Sequence, residues 1–96
     1  MRFFYKARYL KRFDRFTAEE QARILEADQQ LRAFYAIHQA PHGLGLKLLY
    51  TKGAEQIFEA RASRGIRILW AKRGDLASFV LVGLHDEVKQ YLRSLH

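Results

Sequence analysis

The chain has no cysteine, and only one proline and one tryptophan in 96 residues. Without cysteine there is no disulfide framework and no thiolate zinc or iron–sulfur site, a composition that suits a cytoplasmic location. Long apolar runs are missing too. No stretch approaches the ~20 residues of a membrane span, and Met1 to Arg8 has no uninterrupted apolar segment of a signal peptide. No membrane partner is expected. At this length a single domain over residues 1–96 is expected, which excludes a two-domain enzyme with its own cofactor-binding unit. The P-loop, GxGxxG and HExxH patterns are absent, and Gly43-Leu44-Gly45 reads only as a turn. Ser63 and Ser78 lack a nucleophile-elbow setting. His38, His42, His85 and His96 have no regular ligand spacing, and Pro41 interrupts the one four-residue interval. Neither a metal nor an organic cofactor is expected.

What is present is apolar material for a core, 49% of the chain, and an excess of cations: 17 Lys+Arg against 10 Asp+Glu, net +7. That balance favours an anionic partner. The excess falls in two blocks. Residues 1–16 carry net +5 through Arg2, Lys6, Arg8, Lys11, Arg12 and Arg15. Residues 41–75 carry net +4, and the segment 17–40 between them is acidic.

The pattern predicts an α+β domain. Arg2 to Ala7 is aromatic-rich and reads as a first strand. Tyr9 to Arg15 reads as a short helix with Leu10, Phe13 and Phe16 on its apolar side. Thr17-Ala18-Glu19-Glu20 has the form of a capping box and opens a helix over about 18–36. Its stripe is Ile24, Ala27, Leu31 and Phe34, widened by Leu25 and Tyr35. Pro41 to Gly45 ends the helical region. A three-strand meander follows: Gln56–Ala62, with Phe58, Ala60 and Ala62 opposite Ile57, Glu59 and Arg61; Ile66–Lys72, with Ile66, Ile68 and Trp70 opposite Arg67, Leu69 and Ala71; and Ala77–Leu84. The last of these is apolar on both faces, as a doubly covered central strand would be. His85 to His96 returns to helical period. The expected architecture is an N-terminal strand and helical hairpin packed on an antiparallel sheet, with a short C-terminal helix.

Lys47 and Lys52 precede the meander, Arg61 projects from the polar face of its first strand, and His85 lies where the last strand ends, six residues before Tyr91. The ends of an antiparallel sheet can bring such residues together. A cluster of Lys, Arg, His and Tyr without an obvious carboxylate base suits a polyanionic substrate whose transition state gains charge. RNA cleavage is such a reaction: the ribose 2′-OH attacks the adjacent phosphorus, so the nucleophile belongs to the substrate and no metal is required. Each residue has a plainer reading as well. Lys47 and Lys52 read equally as solvated loop lysines, and Arg61 as a cross-strand partner of Glu59 or Glu87. Arg67, inside an apolar strand, reads as half of a structural ion pair. Arg64 is a turn residue beside Gly65. His85 with Asp86 and Glu87 reads as a helix start, and Tyr91, spaced with Val88 and Leu95, as core.

The stretch Phe58-Glu-Ala-Arg-Ala-Ser-Arg-Gly-Ile-Arg-Ile-Leu-Trp70 resembles the RelE/ParE toxin superfamily, whose members carry a strand ending in Arg, a tight turn, and a strand of the form Tyr-Arg-aliphatic-aliphatic-Tyr. Leu81-Val-Gly-Leu-His-Asp-Glu-Val88 is similar to that family's closing Val-Gly-basic strand end. Tyr9-Leu-Lys-Arg-Phe-Asp-Arg-Phe16 resembles its first helix, and Leu46-Lys-Leu-Leu49 the segment before its meander. The resemblance implies the toxin of a toxin–antitoxin pair. RelE-like members are ribosome-dependent mRNA endonucleases, whereas ParE-like members poison DNA gyrase. A third possibility is a non-catalytic module that binds antitoxin and operator DNA. Carried over by position, Lys47 contacts RNA, Arg61 stabilises phosphate, His85 serves the scissile phosphate and Tyr91 orients the substrate. Lys52 and Arg64, with Lys11 and Arg12 from the first basic block, are the further RNA contacts expected. The implied partners are a cognate antitoxin, the ribosome with its mRNA, and operator DNA only through the antitoxin. Three departures stand out: Trp70 replaces the common Tyr, Gly65 removes a turn side chain, and Leu84 stands where some relatives are basic.

Overall fold

The computed structural model of the chain describes residues 1–39 and 43–95. His42, His96 and the first part of the expected turn at Pro41 lie outside the described residues. The elements are β1 (Arg2–Tyr5), α1 (Ala7–Phe13), α2 (Ala18–Ile37), β2 (Lys47–Lys52), β3 (Glu55–Arg61), β4 (Ile66–Arg73), β5 (Leu76–Leu84) and α3 (His85–Ser94). One five-stranded sheet has the order β1-β5-β4-β3-β2.

The expected α+β architecture is present, with two corrections to the sheet. First, it is mixed. β2 to β5 run antiparallel, but β1 pairs parallel to β5 from Arg2↔Leu76 to Tyr5↔Phe79. A parallel neighbour needs a long return path, and α1 and α2 supply it before the chain re-enters the sheet at β2. Second, Lys47 and Lys52 belong to a strand of their own rather than to a loop. β2 pairs with β3 through a register irregularity between Leu48 and Tyr50. That irregularity breaks the period-2 alternation, so the run Leu48-Leu49-Tyr50 carries no readable strand signal.

Helices cover both faces. α1, α2 and the link between them bury Tyr9, Phe16, Ile24, Ala27 and Leu31 against Ala60, Ile68, Trp70, Phe79 and Val82. On the other face α3 sets Val88, with Tyr91, Leu92 and Leu95, over Ile57, Leu69, Val80 and Leu81. The alternation read in β3 and β4 is the one observed: Phe58, Ala60, Ile66, Ile68 and Trp70 face α1 and α2, while Ile57 and Leu69 face α3. The Thr17 box is formed. Its hydroxyl accepts from the Glu20 N–H at 3.2 Å, and Glu20 accepts from the Thr17 N–H at 2.9 Å; such a cap contributes about 1 kcal/mol.

Two apolar residues expected inside are outside. Leu10 is 49% exposed and Leu25 53%. In α1 the inward residue is Tyr9, which with Phe13 and Phe16 makes the i, i+4, i+7 face. The ring of Tyr9 meets Tyr5 at 5.5 Å and the edge of Phe79 at 5.8 Å. Among the described residues, no helix is long and apolar enough to cross a membrane.

Candidate nucleic-acid interface

The meander brings several predicted residues to one end of the sheet. Lys47 begins β2, Arg61 ends β3, Arg67 is the second residue of β4, and β5 ends at Leu84, which hands the chain to His85. In register, Lys47 lies opposite Glu59, Arg61 opposite Arg67, and Arg67 opposite Gly83. Residues paired directly across strands share a face, so these side chains start on the face that carries α3.

Across that end runs an alternation of cations and carboxylates. Glu59 is the buried charged residue of the described chain, 6% exposed. Its Oε1 lies 3.6 Å from Lys47 Nζ and 3.7 Å from Arg67 Nε. Arg67 also donates through one terminal nitrogen to the carbonyls of Ser63 and Arg64, at 3.2 and 2.9 Å, which ties down the β3–β4 turn. Beside Arg67 sits Gly83, where an added Cβ would stand 2.8 Å from a carboxylate oxygen of Glu87. The missing side chain makes room for that carboxylate. Glu87 accepts from the Leu84 N–H at 2.7 Å and takes a two-pronged contact from Arg12, at 2.8 and 3.0 Å. The Arg12 guanidinium in turn lies 4.2 Å from the centre of the Phe16 ring. The strip thus extends from the β2 edge to α1, where Arg8, Lys11, Arg12 and Arg15 wall an open cleft of about 440 Å³ with Leu81 and Glu87.

The Arg12 contact holds the Glu87 carboxyl below its ordinary value and raises the Arg12 guanidinium. A carboxyl lowered on folding contributes stability above its unfolded value and loses it as the pH falls through the folded one. The Arg12–Glu87 tie between α1 and α3 is therefore expected to weaken below about pH 4.5. Acid titration followed by circular dichroism should show that loss, and Arg12→Ala should flatten it, with stability already lower at neutral pH.

The structure places the other predicted residues as follows. His85 is the exposed first residue of α3, and none of the described residues holds its side chain by a hydrogen bond or ion pair. Arg61 pairs with neither Glu59 nor Glu87. Its side chain lies across Gly45, where an added Cβ would stand 2.8 Å from Arg61 Nε. It thereby turns from the α3 face to the α2 side of the sheet, away from Lys47 and Glu59, and lines a small polar cleft with Arg23, Glu26 and Gln30 of α2. Arg64 is exposed in the turn. Lys11 is exposed on α1, whereas Arg12 is engaged by Glu87. Tyr91 is half-buried over the α3-side core, six residues beyond His85. Burial raises its hydroxyl, with Glu55 adding to the shift, and Arg8 stands 5.7 Å from its ring centre. It borders the α1 cleft through Arg8 and not the His85 end of the sheet. Lys52 lies at the far end of β2, opposite Glu55. Five residues along a strand is about 17 Å, so Lys52 does not join the cluster.

Glu59 is the site residue that sequence reasoning passed over. Its alternation with Ile57 placed it on the polar face, but burial of a carboxylate between cations from two other strands is a property of register. Among the described residues no group of His, Asp or Glu is arranged to hold a metal ion.

No sequence-family profile matches the chain, and no curated protein resembles it in sequence. Solved structures do match in fold. A chain of the archaeal RelE–RelB complex from Pyrococcus horikoshii OT3 superposes with a TM-score of 0.68 at 13% identity, over 86% of this chain and 92% of that one. A copper-bound mutant toxin from Helicobacter pylori superposes with a TM-score of 0.68 at 16% identity, over 92% of this chain and 98% of that one. Both alignments run through most of each chain, so this chain has the fold of RelE-like toxins.

Proposed function

We propose that the chain is the toxin of a toxin–antitoxin pair and an endoribonuclease that cuts mRNA on the ribosome. The reading is supported by the RelE-like fold and by strand order, which sets Lys47, Arg61, Arg64 and an exposed His85 at one end of the sheet, with the Arg61 side chain turned to the α2 side. In the reaction the 2′-oxygen of the substrate bonds to the adjacent phosphorus and the bond to the 5′-oxygen breaks, leaving a 2′,3′-cyclic phosphate. The proton of the 2′-OH passes to solvent. His85 gives a proton to the leaving 5′-oxygen as general acid. Lys47 offers charge-assisted hydrogen bonds to a phosphate oxygen on the α3 side of this end, and Arg61 to one on its α2 side; Lys11 and Arg64 extend the basic surface along the RNA. Tyr91 and Arg8 form a face on which a base can stack. The same basic surface suits an acidic antitoxin, through which operator DNA would be reached. The work of the protein is set in the cytoplasm, without a membrane partner.

Expression in growing cells tests the reading. Primer extension should find new 5′ ends within translated messages, and inhibited translation should be the first event. Intact messages together with DNA breakage would instead make the chain a gyrase poison of the ParE type.

A further inference from the structure

We propose that Glu59 is a positioning residue: it pins the Lys47 ammonium at the mouth of the site, and is itself pinned by Arg67. This rests on the reading of that face as the RNA site. The first argument is cost. A carboxylate at 6% exposure is expensive to bury unless its partners compensate it, and a packed apolar side chain in place of a buried ion pair is often neutral or better. Here an apolar residue would simply extend the neighbouring cluster, since Ile57 precedes Glu59 on the same face, and Leu69 and Leu81 continue its row across the sheet. Packing alone does not ask for an acid at this position.

The second argument is how the contacts are divided. Arg67 is committed inward: it holds the carbonyls of Ser63 and Arg64, fixing the turn, and presents its Nε to Glu59. Lys47 is the reverse, with a side chain 62% exposed. Its 3.6 Å approach to Glu59 is an ionic contact longer than a hydrogen bond. An ammonium has three donors. Held in this way, Lys47 keeps those donors for a phosphate while losing the rotamer freedom that a solvated lysine keeps. The order of support is turn, Arg67, Glu59, Lys47, across three adjacent strands. Lys52, at the other end of β2, has no ion pair of this kind among the described residues and serves as an internal control.

The test uses the full chain as wild type, Glu59→Gln, Lys47→Ala and the double variant. Each is assayed for cleavage of ribosome-bound message and for affinity to a single-stranded RNA oligonucleotide. Glu59→Gln is expected to lower cleavage about tenfold. The double variant should be no worse than Lys47→Ala alone, with the same non-additivity in RNA affinity. Additive losses overturn the proposal, as does full cleavage by Glu59→Gln. In the wild-type protein, nuclear magnetic relaxation of the side-chain ammonium should show Lys47 more ordered than Lys52. Equal mobility overturns the proposal, and that measurement decides it even where Glu59→Gln does not fold. A wild-type chain that cuts no message overturns the function proposed above, while oligonucleotide affinity and Lys47 order still decide the role of Glu59.

Discussion

Replacing His85 with alanine is expected to lower message cleavage by ~10²- to 10⁴-fold, the usual worth of a positioned proton carrier, while leaving thermal unfolding where it was. Both halves follow from where the residue sits. His85 is exposed at the first position of α3, and no described side chain depends on it for a hydrogen bond or ion pair. Its removal exposes no buried group, and alanine is the better helix former. The anchorage of α3 lies elsewhere, in the two-pronged Arg12–Glu87 contact and in Val88, Tyr91 and Leu92 over the sheet. A loss of cleavage therefore cannot be attributed to a loosened helix. His85→Gln separates two roles that alanine removes together, since glutamine hydrogen-bonds to phosphate but cannot exchange a proton there. It should retain RNA affinity and lose turnover. The assays are primer extension on ribosome-bound message, oligonucleotide binding, and thermal unfolding by circular dichroism. Full cleavage by His85→Ala would remove the residue from the chemistry, and reduced stability would contradict its solvated position.

Most of the architecture could be read from the sequence because its signals are local. The Thr17–Glu20 box, the Ile24–Ala27–Leu31 stripe and the alternation in β3 and β4 each fall within a few residues, and each appears as expected. What failed to show was set by distant partners or by a broken period. β2 was hidden by the irregularity between Leu48 and Tyr50. The direction of β1 is decided by its pairing with β5, some 74 residues away at Arg2↔Leu76, and nothing in Arg2 to Tyr5 encodes it. The exchange of Leu10 for Tyr9 as the inward residue of α1 is a rotation of one position, fixed by the rings of Tyr5 and Phe79. At the site, strand order could bring Lys47, Arg61 and His85 to one end because all three lie at strand ends. The separation of Tyr91 and Lys52 from that end, and the place of Glu59 between Lys47 and Arg67, depend on register and were not legible. The glycines are explained only in three dimensions. Gly83 leaves space for the Glu87 carboxylate, and Gly45, at φ +60°, leaves space for the Arg61 side chain.

Trp70→Ala is expected to cost about 3–5 kcal/mol, the range for emptying a large aromatic from a core. Trp70 is fully buried on the face covered by α1 and α2, stacked on Phe58 with ring centres 5.6 Å apart and tilted against Phe79 at 6.0 Å. Its indole N–H donates to the Tyr35 hydroxyl at 2.7 Å, so one side chain bridges the sheet to α2. This contact gives a physical reason for a tryptophan at the position where the family resemblance implies tyrosine. Alanine leaves both a cavity and a half-buried Tyr35 hydroxyl that must find another partner. Trp70→Phe keeps part of the ring stack while losing the donor and some volume, so it should cost about 1–2 kcal/mol. The difference between the two variants measures the packing. For a domain of this size, about 1 kcal/mol lowers the midpoint of thermal unfolding by about 4–8 °C, so the alanine variant should melt tens of degrees lower. Circular dichroism is the right probe, since Trp70 is the one tryptophan and its fluorescence goes with it. The Tyr35→Phe variant completes the cycle: added to Trp70→Phe it should cost little more than either change alone, because each removes the same hydrogen bond. If the two losses add, the Trp70–Tyr35 bond does not couple the sheet to α2. The register that sets Lys47, Glu59 and Arg67 in one strip would then be held by the β-ladders alone.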